Sequence, residues 1–362
     1  MIIIKEVISD KEAISLITIF IFGSTLIIGT GQDAKNDMWF SVLLGMVFGL
    51  IAVTMYSRIL YNFPGKDLFD INITLFGKII GNIFNVLFIF YAFHLGALVL
   101  NNFSEFISTV GLPDTPKIVP VMFIVVLCIW SVKGGFEVIG RFSSVLIYLF
   151  IFTVILTISL SFYQMKIDNI RPFMYEGIAP IMRGAFSAFA FPYAESVIFL
   201  MLFSNSKSRY SNFRVFWLAI LLGGITLGIL AVRNTMFAGT EVLEKNYFPA
   251  YIVVSEIKLG NFIQRIETTV VIAFLVAGFI KVSCCTLAAC KGVARIFAFQ
   301  NYDFIVTPVT LMVFSLSYLV YNNITETTLW APHVYPIYAF LFQVILPIII
   351  LITAEIKMKK TK

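Results

Sequence analysis

Lys281 lies in the middle of VIAFLVAGFIKVSCCTLAACKGVARIF, ten residues before the next cation, Lys291. A charge near the centre of a bilayer costs roughly 2.5–3.5 kcal/mol on insertion scales. A lysine there either faces the protein interior with a partner or snorkels to an interface. The candidate partners are carbonyls of an interrupted first helix and the carboxylate of Glu195. Glu195 stands two residues past Tyr193 in a run broken by Pro192. There it is placed to pair with Lys281, bind a substrate amine, carry a coupling proton, or accept from unwound backbone.

Other polar groups sit in apolar runs. Tyr91, His94, Asn101 and Glu105 fall on one helical face by three- and four-residue spacing, with Asn102 beside them. They are read as the lining of an aqueous path, with packing the competing role for His94. Arg183, two turns before the Pro192 break, is placed at an outer vestibule or paired with Glu176 or a lipid phosphate. Enzyme signatures are absent. No glycine loop is followed by Lys and Ser/Thr, no H-E-x-x-H or paired CxxC occurs, and histidine appears only twice. Cys128, Cys284, Cys285 and Cys290 all lie inside apolar runs, which points to packing rather than a disulfide framework or metal site. No cofactor is implied.

The elements that position these groups are membrane helices. Hydrophobic residues make up 59% of the 362 and charged residues 13%, about half the usual charged share. Unbroken apolar runs of ~18 or more residues favour helices over the alternating segments of a β-barrel. Ten spans are expected near 12–35, 38–61, 82–109, 117–133, 138–163, 177–203, 211–237, 262–296, 303–321 and 335–356. The intervening 63–82 is too polar to span. Its Leu68, Ile71, Leu75 and Ile79 at helical spacing suggest a helix on the inner face. Residues 239–261 form the longest outside loop.

Charge sets the topology. With the N-terminus inside, sixteen Lys and Arg, among them Lys5, Arg58, Lys78, Arg141, Lys207, Arg209 and Lys362, fall on cytoplasmic segments. Seven (Lys35, Lys117, Lys166, Arg171, Lys245, Lys258 and Arg265) fall outside. This positive-inside bias puts both termini in the cytoplasm. It also accounts for the +6 net charge without nucleic acid. The start of the chain reads as a short cytoplasmic tail and not a secretory signal.

Two spans are interrupted. The first carries Gly23-Ser24-Thr25 and then Gly29-Thr30-Gly31; the sixth carries Phe189-Ala190-Phe191-Pro192-Tyr193. Freed backbone groups survive in lipid only against protein, water or ligand. A pair of interrupted segments in corresponding positions points to a transporter-type site at mid-membrane. One membrane domain, 1–362, made of five-helix repeats over 12–163 and 177–356, would place these breaks at the start of each half.

The runs SDKEAISLITIFIFGSTLIIGTG, AKNDMW, FPGKDLFDI and RIET…FLVAGFIKVSCCTLAACKG together resemble the B subunit of spore germinant receptors, the endospore germination permease family. That family is similar to the amino acid–polyamine–organocation transporters, whose fold is a five-plus-five inverted repeat. The resemblance implies a subunit of the inner spore membrane that binds a small-molecule nutrient, commonly an amino acid, nucleoside or sugar, and triggers germination. It implies partner subunits, a membrane A subunit and a C lipoprotein. The ligand site would lie between spans one, three, six and eight, using the backbone of Ile27 to Gly31 and the opposing Phe189 to Tyr193. Lys281 falls where sodium-coupled relatives keep hydroxyl ligands. With Glu195 and Ser283 it marks an ion or coupling position, its ammonium taking the place of the cation. A proton-coupled amino acid transporter is the rival reading.

Overall fold

The computed structural model describes residues 8–204, 210–257, 265–321 and 323–360. Of the charges that set the expected topology, Lys5, Lys207, Arg209, Lys258 and Lys362 lie outside the described residues, as does most of the N-terminal tail. The described residues form sixteen α-helices: α1 (Asp10–Phe22), α2 (Thr25–Ile28), α3 (Met38–Asn62), α4 (Leu68–Phe106), α5 (Ile118–Lys133), α6 (Phe136–Ser161), α7 (Ile178–Ala188), α8 (Ile198–Leu202), α9 (Ser211–Ala238), α10 (Thr240–Lys245), α11 (Pro249–Ser255), α12 (Glu267–Ile296), α13 (Asp303–Leu319), α14 (Ile324–His333), α15 (Tyr335–Phe340) and α16 (Leu346–Lys360).

Seven continuous helical stretches are long and apolar enough to cross a membrane, and α5 and α13 are shorter apolar helices. The broken rod α1–α2 completes ten, as the hydrophobic runs require. The α5 and α6 surfaces expose Phe123, Trp130, Val145, Tyr148 and Phe152, a greasy coat that suits lipid and not water. The chain is an all-α, multi-pass integral membrane protein.

Ser9 starts α1 with a capping box: its hydroxyl accepts from the Glu12 N–H while the Glu12 carboxylate accepts from the Ser9 N–H. Thirteen residues later the helix stops at Gly23, whose φ of +22° disfavours any Cβ. One turn, α2, follows before Gly29 and Gly31, both at positive φ, release the chain into an irregular segment. The sixth rod opens at Phe189–Tyr193, one wide π-type turn with Phe191 extended, then tightens through Ala194–Val197 before α8. Both expected breaks are present in the first and sixth rods.

The second break is seated against α3. A Cβ at Gly45 would fall 2.8 Å from the Ala188 Cβ, and one at Gly49 2.8 Å from the Tyr193 Cβ. Two glycines one turn apart let the helices approach at the distance that small residues permit in membranes.

The helix expected before the third span and the span itself form one broken rod, α4, and only Ile79 departs from the expected face. Gly77 (φ 78°, ψ 179°) breaks α4, and its two parts fold against each other. The Asn72 amide donates to Asn85 Oδ1 over 2.9 Å, whereas thirteen residues of straight helix would separate them by ~20 Å. Leu68, Ile71 and Leu75 are buried as the spacing suggests. Ile79, past the break, is 81% exposed and does not share their face.

Candidate functional site

The two breaks face each other across a cavity of ~440 Å³. Its walls come from 28–33 at the end of α2 and beyond, from Leu95, Leu98, Val99 and Asn102 of α4, from Ser187, Phe191 and Glu195 of the sixth rod, and from 245–247, Tyr321, 327–333 and Tyr335. The loops that rim it join helices at the end of the bundle opposite the start of α1. Volume and mixed lining suit one small amphipathic molecule.

Charged residues in the lining are Asp33, Lys245 and the buried Glu195. Glu195 and Lys281 are fully buried and joined as an ion pair. The Tyr335 hydroxyl donates to the other carboxylate oxygen at 2.5 Å. The Lys281 ammonium also lies 5.0 Å from the ring centroids of both Phe20 and Phe191, within cation–π range. A buried pair holds its charges only when the geometry is good and the spare lone pairs are satisfied; here a phenol and two aromatic faces do that. Of the two alternatives for Lys281, the interior pairing with Glu195 is the one present.

Behind this pair runs a chain of polar groups from separate rods. Tyr335 and Tyr91 hydroxyls meet at 3.2 Å, and Gln343 donates to Tyr91 at 2.9 Å and to the Ala190 carbonyl at 2.9 Å. Tyr56 donates to the carbonyls of Gln343 (2.6 Å) and Ala194 (3.3 Å), and Thr30 to that of Phe191 (3.0 Å). Three carbonyls freed by the second break, those of Ala190, Phe191 and Ala194, thus receive donors from α3, the 29–31 segment and the last rod. In lipid such carbonyls must be satisfied internally. The unwound backbone is held open by built-in partners.

At the first break, Thr25 of α2 caps the end of α1, donating to the carbonyls of Ile21 (2.9 Å) and Phe22 (2.6 Å). Ser24 accepts from Asn102 at 3.3 Å. Gly23 abuts Lys281: a Cβ there would lie 2.6 Å from Lys281 Cδ.

Of the sequence-predicted site residues, Gly29, Thr30, Gly31, Phe191 and Glu195 line the cavity. Gly23, Ser24, Thr25 and Lys281 lie one layer beneath it, and Tyr91 lies behind Tyr335. Phe189, Pro192 and Tyr193 are buried in the break itself. Ser283 bonds Ser131 at 2.9 Å, away from the pair. His94 stacks on Phe90 and meets Trp330 and Tyr338 edge-on, the packing role.

The supposed face of the third rod comes apart. Asn101 donates to the Ser317 carbonyl at 3.0 Å and Glu105 pairs with Lys117 at 2.7 Å. Asn102, off that face, reaches the cavity instead. Arg183 is exposed, and the Glu176 suggested for it pairs with Lys35 at 2.6 Å. The four cysteines are free and buried. Sequence reasoning missed Tyr56, Tyr335, Gln343 and Trp330. One available signal was Gln343, an amide inside the apolar run 335–356.

Two interrupted helices around a mid-bundle cavity define a transporter-type membrane fold. The solved structure of Mhp1, a nucleobase-cation-symport-1 family transporter in a closed conformation with bromovinylhydantoin bound, superposes with a TM-score of 0.67 at 11% identity. That likeness covers 93% of this chain and 75% of Mhp1. Residues 7–327 match the profile of the spore germination protein family, and the chain belongs to that family. It is similar to spore germination protein KB of Bacillus subtilis (strain 168), 28% identical over 98% of this chain and 96% of that protein. It is also similar to spore germination protein GerQB of Bacillus cereus, 26% identical over 90% and 89% of the two chains.

Proposed function

We propose that this chain is the ligand-sensing membrane subunit of a spore germinant receptor and that its ~440 Å³ cavity holds a nutrient, an amino acid being the chemistry that fits best. What carries this is that a buried carboxylate, Glu195, and the unwound Gly29–Gly31 backbone line the same cavity. An ammonium group would rest by Glu195 against the rings of Phe191, Tyr335 and Trp330. A carboxylate would meet the Thr30–Gly31 backbone. Lys281 and Tyr335 hold Glu195 in place, each bonded to one of its carboxylate oxygens. The role of Lys281 is electrostatic, standing where a coupling cation sits in sodium-driven relatives.

Binding would draw the 29–33 segment and α14 toward the sixth rod. A ligand moves such an equilibrium only by its differential affinity for the open and closed forms. The chain would pass the change to a membrane A subunit and a C lipoprotein in the inner spore membrane, with both termini cytoplasmic and the two repeats 12–163 and 177–356 rocking about the breaks. The role is non-catalytic. Spores carrying Gly29→Leu or Pro192→Ala should lose the response to one nutrient while answering others. A full response to every nutrient would overturn the reading.

A second reading, a proton-coupled amino acid transporter, is supported by the transporter fold and by a carboxylate that lines the cavity. Uphill accumulation of labelled amino acid in proteoliposomes under a proton gradient would select it.

A further inference from the structure

Arg233 stands on α9, five residues before its end, and is 4% exposed. Its Nε and Nη1 have no hydrogen-bond acceptor, and it joins no ion pair among the described residues. Asn234 beside it is also buried, with its Oδ1 unpartnered among the described residues. Both border a second, separate chamber of ~30 Å³ walled by Leu26, Met38, Val42 and Leu227, together with Gly29 and Thr30. Lys281, also a fully buried cation, has a carboxylate and two rings; Arg233 has a small void.

An uncompensated buried charge costs several kcal/mol, so the void is where its compensation belongs. Water alone satisfies donors without cancelling charge. At ~10–15 Å³ per water-sized particle the chamber of ~30 Å³ admits two or three such particles. That is too little room for an amino acid and enough for a bare halide. The mostly apolar walls suit a monatomic anion, held by the free Nε–H and Nη1–H donors of Arg233.

We propose that the Arg233 chamber is a halide site, with chloride as its ordinary occupant. Gly29 and Thr30 wall both this chamber and the large cavity, so the anion braces the irregular segment that faces the other ligand. Chloride occupancy and cavity occupancy are then linked, each changing the other's affinity by the same factor.

The test uses the full-length chain purified in detergent. Its melting temperature is followed while sodium chloride replaces sodium gluconate at constant ionic strength. The wild type should gain several degrees with saturable dependence on chloride, and bromide should substitute. Arg233→Met should lose the dependence, yet melt in gluconate no lower than the wild type, because the substitution removes an uncompensated charge. Chloride NMR linewidths measured on the wild type supply an arm that needs no variant: excess broadening, relieved by bromide, is expected. Equal melting temperatures in both salts together with no excess broadening would overturn the proposal. So would a chloride shift that persists undiminished in folded Arg233→Met.

Discussion

Gly23 and Lys281 occupy one another's space: a Cβ on the glycine would fall 2.6 Å from the lysine Cδ, and 3.3 Å from its ammonium. The first rod breaks where the lysine stem passes, and the gap lets the ammonium reach Glu195 on the opposing broken rod. Break and charge pair are one construction.

Gly23→Ala should therefore disturb the pair as well as the helix. The positive φ and the clash together cost about 1–3 kcal/mol, read as a melting temperature several degrees lower for the purified protein. A variant as stable as the wild type would show that the lysine has room to spare.

Lys281→Met and Glu195→Gln each strand a partner. Removing one member of a buried pair costs about 3–5 kcal/mol, so both single variants should express poorly or melt early. The double variant, with no stranded charge, should be more stable than the worse single one. Additive losses in thermal melts of all four proteins would mean that the two groups do not interact.

Tyr335→Phe removes the donor to Glu195 and the hydroxyl beside Tyr91. A hydrogen bond to a charged group contributes about 1.5–3 kcal/mol, and Tyr335→Phe should cost more than Tyr91→Phe, which serves neutral groups. Equal costs would place the charge elsewhere.

His94→Phe should keep both fold and nutrient response, since the ring is stacked among Phe90, Trp330 and Tyr338 and its Nδ1 has no partner among the described residues. Loss of the response in a folded variant would return His94 to the site.

Much of this was legible in the chain. Pro192, Gly23 and Gly29 in apolar runs give away the breaks because lipid leaves freed backbone no other partner. Lys281 and Glu195 betray each other because neither charge is tolerable alone at that depth. What stayed hidden depends on pairing across long separations. Tyr56 reaches Ala194, and Gln343 reaches Tyr91 and Ala190, yet a lone tyrosine or amide in an apolar run looks like any interface residue. Helical spacing put Tyr91, His94, Asn101 and Glu105 on one face but not which neighbour each would meet. The polar run 63–82 marked a helix apart from the third span, but not that the break falls at Gly77, which carries Asn72 to Asn85 and leaves Ile79 exposed.

The most direct test of the central claim is equilibrium binding of labelled amino acids, nucleosides and sugars to the purified chain, beside a Ser187→Trp variant that fills the cavity. One saturable site for one nutrient class is expected, lost in the variant while its fold persists. Saturable binding that survives Ser187→Trp unchanged, or none by any nutrient to the folded wild type, would contradict it.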